Sequence, residues 1–204
     1  MMENIKKKYN YLCNQLSDIN EHLPTLYKYS LECESIIELG VRGCISSWAF
    51  VYGLLNNNSK IKKILFNDIE ICDINELINY TNNLDIDIKY EWINDLNLNI
   101  TENVDLVFID TWHIYGQLIR ELNKFSKITN KYIIMHDTTV DGIYGETIRG
   151  NHDANIQSQI SGFPIEEINK GLQPAIDDFL NNNSDWILFE KFENNNGLTV
   201  LKRI

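Results

Sequence analysis

The residues best suited to chemistry in this 204-residue chain stand at the ends of apolar runs. Asp110 closes VDLVFID, and His113 follows three positions later. His136 and Asp137 close KYIIMHD. Glu38 closes SIIE just before a glycine turn, E-L-G-V-R-G, which holds Gly40, Arg42 and Gly43. Asp68 closes KKILFND, and Asp95 closes IKYEWIND. Imidazole beside carboxylate is a pairing that can deprotonate a hydroxyl near neutral pH. Asp110 and Asp137 could instead hold a divalent metal, which would lower the pKa of a bound hydroxyl. His136 could join them, though imidazole is a poor magnesium ligand. Asp110, His113, His136 and Asp137 are therefore the catalytic candidates.

The elements that must position these residues alternate. Apolar runs at 35–40, 62–69, 88–95, 104–110 and 131–137 read as strands. Helical stretches after the glycine turn, at 71–83 and at 112–126 separate them. Such alternation predicts a parallel sheet covered on both faces, in which ligands bind beyond the carboxyl ends of the strands. An acid at the end of one strand means little, because strands end where polar loops begin. Acids at the ends of five strands share one edge of one sheet. After a helix over 171–180, WILFEKFE (186–193) and LTVLKRI (198–204) read as a terminal β-hairpin. An amphipathic helix is predicted over 3–22, with Pro24 interrupting it and a second helix over Thr25–Leu31. Residues 1–34 then form a helical cap, and 138–170, rich in glycine and polar residues, a long functional loop. With no repeat or linker, 1–204 reads as one domain.

Two polar clusters lie outside the strand ends. Asp18 and His22 precede Pro24, and Tyr144 and Arg149 sit in the long loop. Each could bind an acceptor molecule. Arg149 is one of only four arginines and suits a diphosphate or carboxylate. Trp112, beside Asp110, could wall a pocket or stack on a sugar. Trp48 and Trp186 read as core.

Composition narrows the partners. The net charge of −11 disfavours a phosphate-backbone binder, so no nucleic acid is expected. No apolar run is long enough to cross a bilayer, and the N-terminus does not resemble a signal peptide. Cys13, Cys33, Cys44 and Cys72 are scattered, which fits neither a disulfide framework nor a zinc site. A cytoplasmic setting is the expectation. Abundant Asn and Ile with scarce Ala look like AT-rich coding, as in some protists or large DNA viruses, and a virus would place the chain in its host's cytoplasm. The exposed N-terminal helix is compatible with a homodimer.

The turn after the first strand is neither G-x-G-x-x-G nor a P-loop, which speaks against a dinucleotide or an ATPase. Asp68 could still accept both hydroxyls of a ribose, and Asp95 lies where an adenine amino group would fall. At these residues the chain resembles the class I S-adenosylmethionine (SAM) dependent methyltransferases. Within them it resembles a small group of cephalosporin hydroxylase-like and rhamnosyl O-methyltransferase proteins. SDINEHLPTL (17–26), IIELGVRGCISSWAF (36–50), VDLVFIDTWHIYGQLIREL (104–122), KYIIMHDTT (131–139), GLQPAIDDFL (171–180) and NNGLTVLKR (195–203) carry the likeness. The resemblance implies a Rossmann-like, doubly wound seven-stranded sheet with an antiparallel C-terminal hairpin. It implies that Glu38, Gly40 and Arg42 touch the methionine end of SAM and that Ser46 and Ser47 bind its carboxylate. It implies O-methylation of a small acceptor, a sugar or nucleotide-linked deoxysugar such as rhamnose. A magnesium ion at Asp110 and Asp137 is the further cofactor it raises. A nucleotide-dependent oxidoreductase and a non-catalytic SAM-binding protein are the alternatives.

Overall fold

The computed structural model describes residues 2–204. Seven strands form one sheet in the order β3-β2-β1-β4-β5-β7-β6. These are β1 Ser35–Leu39, β2 Lys63–Asp68, β3 Asp87–Trp92, β4 Val104–Ile109, β5 Thr129–His136, β6 Trp186–Phe192 and β7 Leu198–Arg203. The first five are parallel, and the last two run antiparallel as the predicted hairpin. β4 is buried at all six positions, as its unbroken apolar run requires of a central strand.

Helices cover both faces. On one face α1 (Met2–Asn14), α2 (Leu23–Ser30), α3 (Ile45–Asn56) and α4 (Asn75–Thr81) enclose a core that includes Ile36, Phe50, Phe66 and Phe108. On the other, α5 (Tyr115–Phe125) and α9 (Leu172–Asn182) pack Leu118, Leu122 and Phe179 over Ile37, Val107 and Ile133. Trp48 and Trp186 are core residues, as expected.

Three expectations about elements change. The N-terminal helix stops at Asn14, not residue 22, because Asn20 accepts from the Ser17 amide and donates to the Cys13 carbonyl, building a turn. Its apolar face, Ile5, Tyr9 and Leu12, is spent inside the core and is not exposed for a second copy. Pro24 does not interrupt. It lies in the first turn of α2, where its missing N–H costs nothing. The 138–170 segment is not an open loop but holds three short helices, α6 (Glu146–Arg149), α7 (Ala154–Ser161) and α8 (Ile165–Ile168).

α2 and α3 cross closely at Gly53. A Cβ there would overlap the Ser30 hydroxyl and lie 2.9 Å from the Tyr27 carbonyl oxygen. Gly53→Ala should therefore destabilise the protein by about 1–3 kcal/mol, despite the better helix propensity of Ala. The thermal midpoint checks it, and a midpoint at or above wild type would contradict this packing.

Candidate active site

The carboxyl ends of β1, β2 and β4 open into a cavity of about 550 Å³. Its wall includes Asp18, Gly40, Arg42, Ser46, Asp68, Asp95, Asp110, Trp112 and His113. A second cavity of about 450 Å³ lies over β1–β3, on the face that the β3–β4 connection, which has no α-helix, leaves open. None of the strand-end acids lines it.

The glycine turn builds the near wall. Gly40 has φ +85°, and a Cβ there would run into the Asp110 carbonyl, its carbon only 2.6 Å away. Only glycine allows β1 to turn that close to the end of β4. Asp68 then holds the turn. Its Oδ2 accepts from the amides of Val41 at 2.8 Å and Arg42 at 3.0 Å, and its Oδ1 accepts from Glu70 at 2.9 Å. Burial pushes its pKa up, but these donors outweigh it and hold the carboxyl below its usual range. Asn67 turns the other way and donates to the Glu91 and Ile93 carbonyls, tying β2 to β3.

Glu38, Ser46 and Ser47 need correction as direct ligands. Glu38 is wholly buried beneath the turn and accepts from the Ser46 hydroxyl. Ser46 reaches the wall, yet its hydroxyl is spent inward on Glu38. Ser47 is buried and absent from the wall. What this end of α3 offers the cavity is first-turn backbone N–H groups, which no helical carbonyl satisfies. Burial raises the Glu38 carboxyl to about 8, and the nearby Asp110 and Asp68 add to the rise against the lowering effect of the serines.

Asp95 also departs from its expected role. It does not end β3 but opens a short 3-10 turn, 95–97, where it is buried against α5. Its Oδ1 accepts from Gln117 at 2.9 Å, and Glu121 lies against it. A free acid facing an adenine amine is therefore not what this position presents.

The far wall centres on His113. Its Nε2 is 3.0 Å from Asp110 Oδ1, and its Nδ1 is 3.0 Å from Asp137 Oδ2 and 3.2 Å from Asp141 Oδ2. Glu146 adds a fourth carboxylate at 3.8 Å. Burial opposes the cation, but Asp110, Asp141 and Asp137 outweigh it and raise the pKa of His113 well above its ordinary value. In this arrangement the surrounding carboxylates favour the protonated form of His113, unlike the free neutral base its spacing from Asp110 promised. Asp110 is correspondingly held low by His113 and His136, against the effect of burial. Asp137 has φ +57°, a left-handed conformation that aspartate tolerates better than most side chains. That twist brings its carboxyl back toward His113.

His136 lies behind this group, 2% exposed and off the cavity wall. Its Nε2 faces the carbonyls of Asp18 at 3.1 Å and Asn195 at 3.2 Å, and its Nδ1 is 3.4 Å from Asp110. It positions Asp110 and anchors the 17–22 segment, and it touches nothing that enters the cavity. His22 is likewise structural: it is 1% exposed, with Nε2 2.9 Å from the Asn194 carbonyl of the hairpin turn. Asp18 does line the mouth, where it pairs with Arg42 at 2.6 Å. Arg149 is not available for an acceptor, because its guanidinium binds Asp141 in two bonds of 2.6 and 2.8 Å. Tyr144 is 65% exposed and off the wall. Trp112 is in the wall, stacked on Phe163 at 6.1 Å.

Asp141, Gln117 and Glu121 are the residues that sequence reasoning missed. The signal for the last two was present: they are polar residues on the buried, Leu118–Leu122–Phe125 side of α5. Asp141 carried no periodic signal, being in the irregular segment.

No family profile matches the sequence, and no curated protein does. Solved structures match in fold. A putative caffeoyl-CoA O-methyltransferase from Staphylococcus aureus superposes with a TM-score of 0.62 at 12% identity, covering 100% of this chain and 92% of that one. An O-methyltransferase from Bacillus cereus, in complex with S-adenosylhomocysteine (SAH), gives 0.60 at 14% identity over 100% and 90%. The N-methyltransferase NodS from Bradyrhizobium japonicum, also with SAH, gives 0.59 at 12% over 98% and 97%.

Glu38 generates a pH test. The folded protein keeps its proton up to about 8, whereas an unfolded chain loses it near 4.5. Unfolding therefore releases a proton in that window, and Glu38 costs progressively more stability as pH rises through it. Glu38→Gln should match wild type in thermal midpoint at about pH 4–5 and exceed it increasingly toward about pH 8. Parallel pH profiles would show that Glu38 ionises normally.

Strand order, terminal hairpin and these neighbours together give this chain the class I SAM-dependent methyltransferase fold.

Proposed function

We propose that this protein is a SAM-dependent O-methyltransferase acting on a small hydroxylated acceptor, a sugar that carries no phosphate. One observation carries the reading. A cavity at the carboxyl ends of the strands joins a glycine turn and free helix amides at one side to an acid–imidazole group at the other. The turn and the first-turn amides of α3 suit the methionine carboxylate. Asp68 suits a ribose hydroxyl, since its Oδ1 keeps a lone pair beyond the bond from Glu70, while Oδ2 is filled by the two turn amides. The acidic walls suit a sulfonium.

The cavity mouth favours a neutral acceptor over a nucleotide-linked one. Asp18, Glu70, Asp110 and Glu146 line it, and its one arginine, Arg42, is already paired with Asp18. Arg149, the sequence's candidate for a diphosphate, is committed to Asp141. The resemblance to rhamnosyl O-methyltransferases makes a deoxysugar hydroxyl the first acceptor to test.

Methyl transfer is an in-line displacement: the acceptor oxygen attacks the methyl carbon, the sulfonium leaves as a thioether, and the hydroxyl proton must go elsewhere. Asp110, at the wall, orients the hydroxyl. Because the surrounding carboxylates favour the protonated form of His113, the proton passes to the Asp137 carboxylate, whose pKa burial raises. Asp110, Asp137 and His113 offer three ligand atoms within 4.8 Å of one another, and Asp137 Oδ1 has no donor. That set fits a divalent cation, which would lower the pKa of the acceptor hydroxyl. The two carboxylates alone would serve magnesium, while His113 would complete the set for a softer ion only on giving up its proton.

SAH should raise the thermal midpoint and NAD(P) should not; the reverse result rejects the reading. Labelled SAM incubated with rhamnose, a rhamnoside and a nucleotide-linked rhamnose tests the acceptor, with the uncharged sugars expected to be labelled. Asp68→Ala should weaken SAH binding about tenfold or more, since it removes the acceptor for two turn amides. His113→Ala and Asp137→Asn should each cut turnover at least about 100-fold with little change in SAH affinity. Loss of activity in EDTA, restored by added metal, would assign the cation.

A further inference from the structure

Beneath the cavity lies a second acidic group that the proposed chemistry does not use. Gln117 Nε2 donates to Asp95 Oδ1 and to Glu121 Oε1, both at 2.9 Å. Thr111 Oγ1 donates to the same Glu121 oxygen at 2.5 Å. Asp95 Oδ2 and Glu121 Oε2 are left, both buried and neither with an N–H or O–H donor from another residue. Gln117 thus bridges two carboxyl groups that lie near enough for Asp95 to raise the proton affinity of Glu121. Two carboxylates so placed cannot both ionise, and a single proton between them satisfies both orphan oxygens.

We propose that Glu121 is a positioning residue for the cofactor: a proton shared with Asp95 clasps the 95–97 turn to α5 and holds the cavity floor in place. This rests on the reading that the cavity takes SAM. Asp95, Thr111 and Gln117 all line the cavity, so whatever fixes their arrangement fixes the floor. Burial pushes both carboxyl groups up in pKa. Among the described residues the cation facing the pair is Lys124 of α5, which lowers Asp95, yet its Nζ is occupied by the Asp95 and Leu98 carbonyls at 2.6 Å each. Asn94 and Thr111 are neutral, the Asn94 side chain accepting from the Leu96 amide and Thr111 donating as above. At high pH the clasp loses its proton, two like charges face each other, and the turn is driven off α5.

The test is SAH affinity by calorimetry at about pH 6 and about pH 9 in wild type and Glu121→Gln. The glutamine keeps an oxygen for Gln117 and Thr111 and presents an NH₂ to Asp95 Oδ2 at any pH. Wild type should weaken about tenfold or more across this range, and the variant less than about twofold. Equal pH dependence in the two proteins would overturn the proposal. Should Glu121→Gln fail to fold, Asp95→Asn supplies the same donor from the other side. The carboxyl-carbon NMR signal of Glu121 gives a readout without cofactor. It should remain in the protonated position at about pH 7, and ordinary titration near 4.3 would remove the clasp. Absence of SAH binding at both pH values counts against the cofactor reading, and the carbon signal then decides the clasp by itself.

Discussion

One imidazole among four carboxylates holds the working edge of this sheet together. Asp110 comes from the end of β4, Asp137 from the end of β5, and Asp141 and Glu146 from the segment that follows. Left alone, these acids would repel one another. Unit charges 4 Å apart interact by about 4 kcal/mol even at an effective dielectric of 20. His113 answers them from the centre, helped by Arg149 on Asp141 and His136 on Asp110. The wider consequence is a site whose acids are buried without collapsing the fold, in a chain already carrying −11. A divalent cation would perform the same compensation, which is why one set of residues supports both descriptions.

The remaining architecture is organised around backbone more than side chains. Gly40 lets β1 turn against Asp110, Asp68 holds that turn by its amides, and Glu38 braces Ser46 from below. The surface left for a ligand is largely peptide N–H, bordered by carboxylates. Several residues that spacing offers as contacts work one layer back. His22 and His136 fasten the N-terminal segment and the hairpin turn to the sheet edge, and Arg149 steadies Asp141.

Much of the fold was legible because its signals are local. Apolar runs of five to eight residues bounded by glycine and acids specify strands, and 186–204 reads as a hairpin without any reference to the rest. The boundaries that moved did so through single side chains, such as Asn20 ending α1 and Pro24 starting α2. The identities of the site residues were legible for a related reason: strand ends of a parallel sheet converge on one edge. Asp68, Asp110 and His113 do meet in one cavity wall. Asp141 was not legible, because an irregular segment gives no period from which to place it.

The order of the acids, the parallel strands and the closing hairpin are written in the sequence, since each depends on residues a few positions apart. Which way each acid points is not. Glu38 and Asp95 close their strands' runs just as Asp110 does, yet one is roofed by Ser46 and the other turned onto Glu121. A side chain's protonation and reach are set by the charges and donors that distant segments bring within about 3 Å, and only the folded chain brings them there.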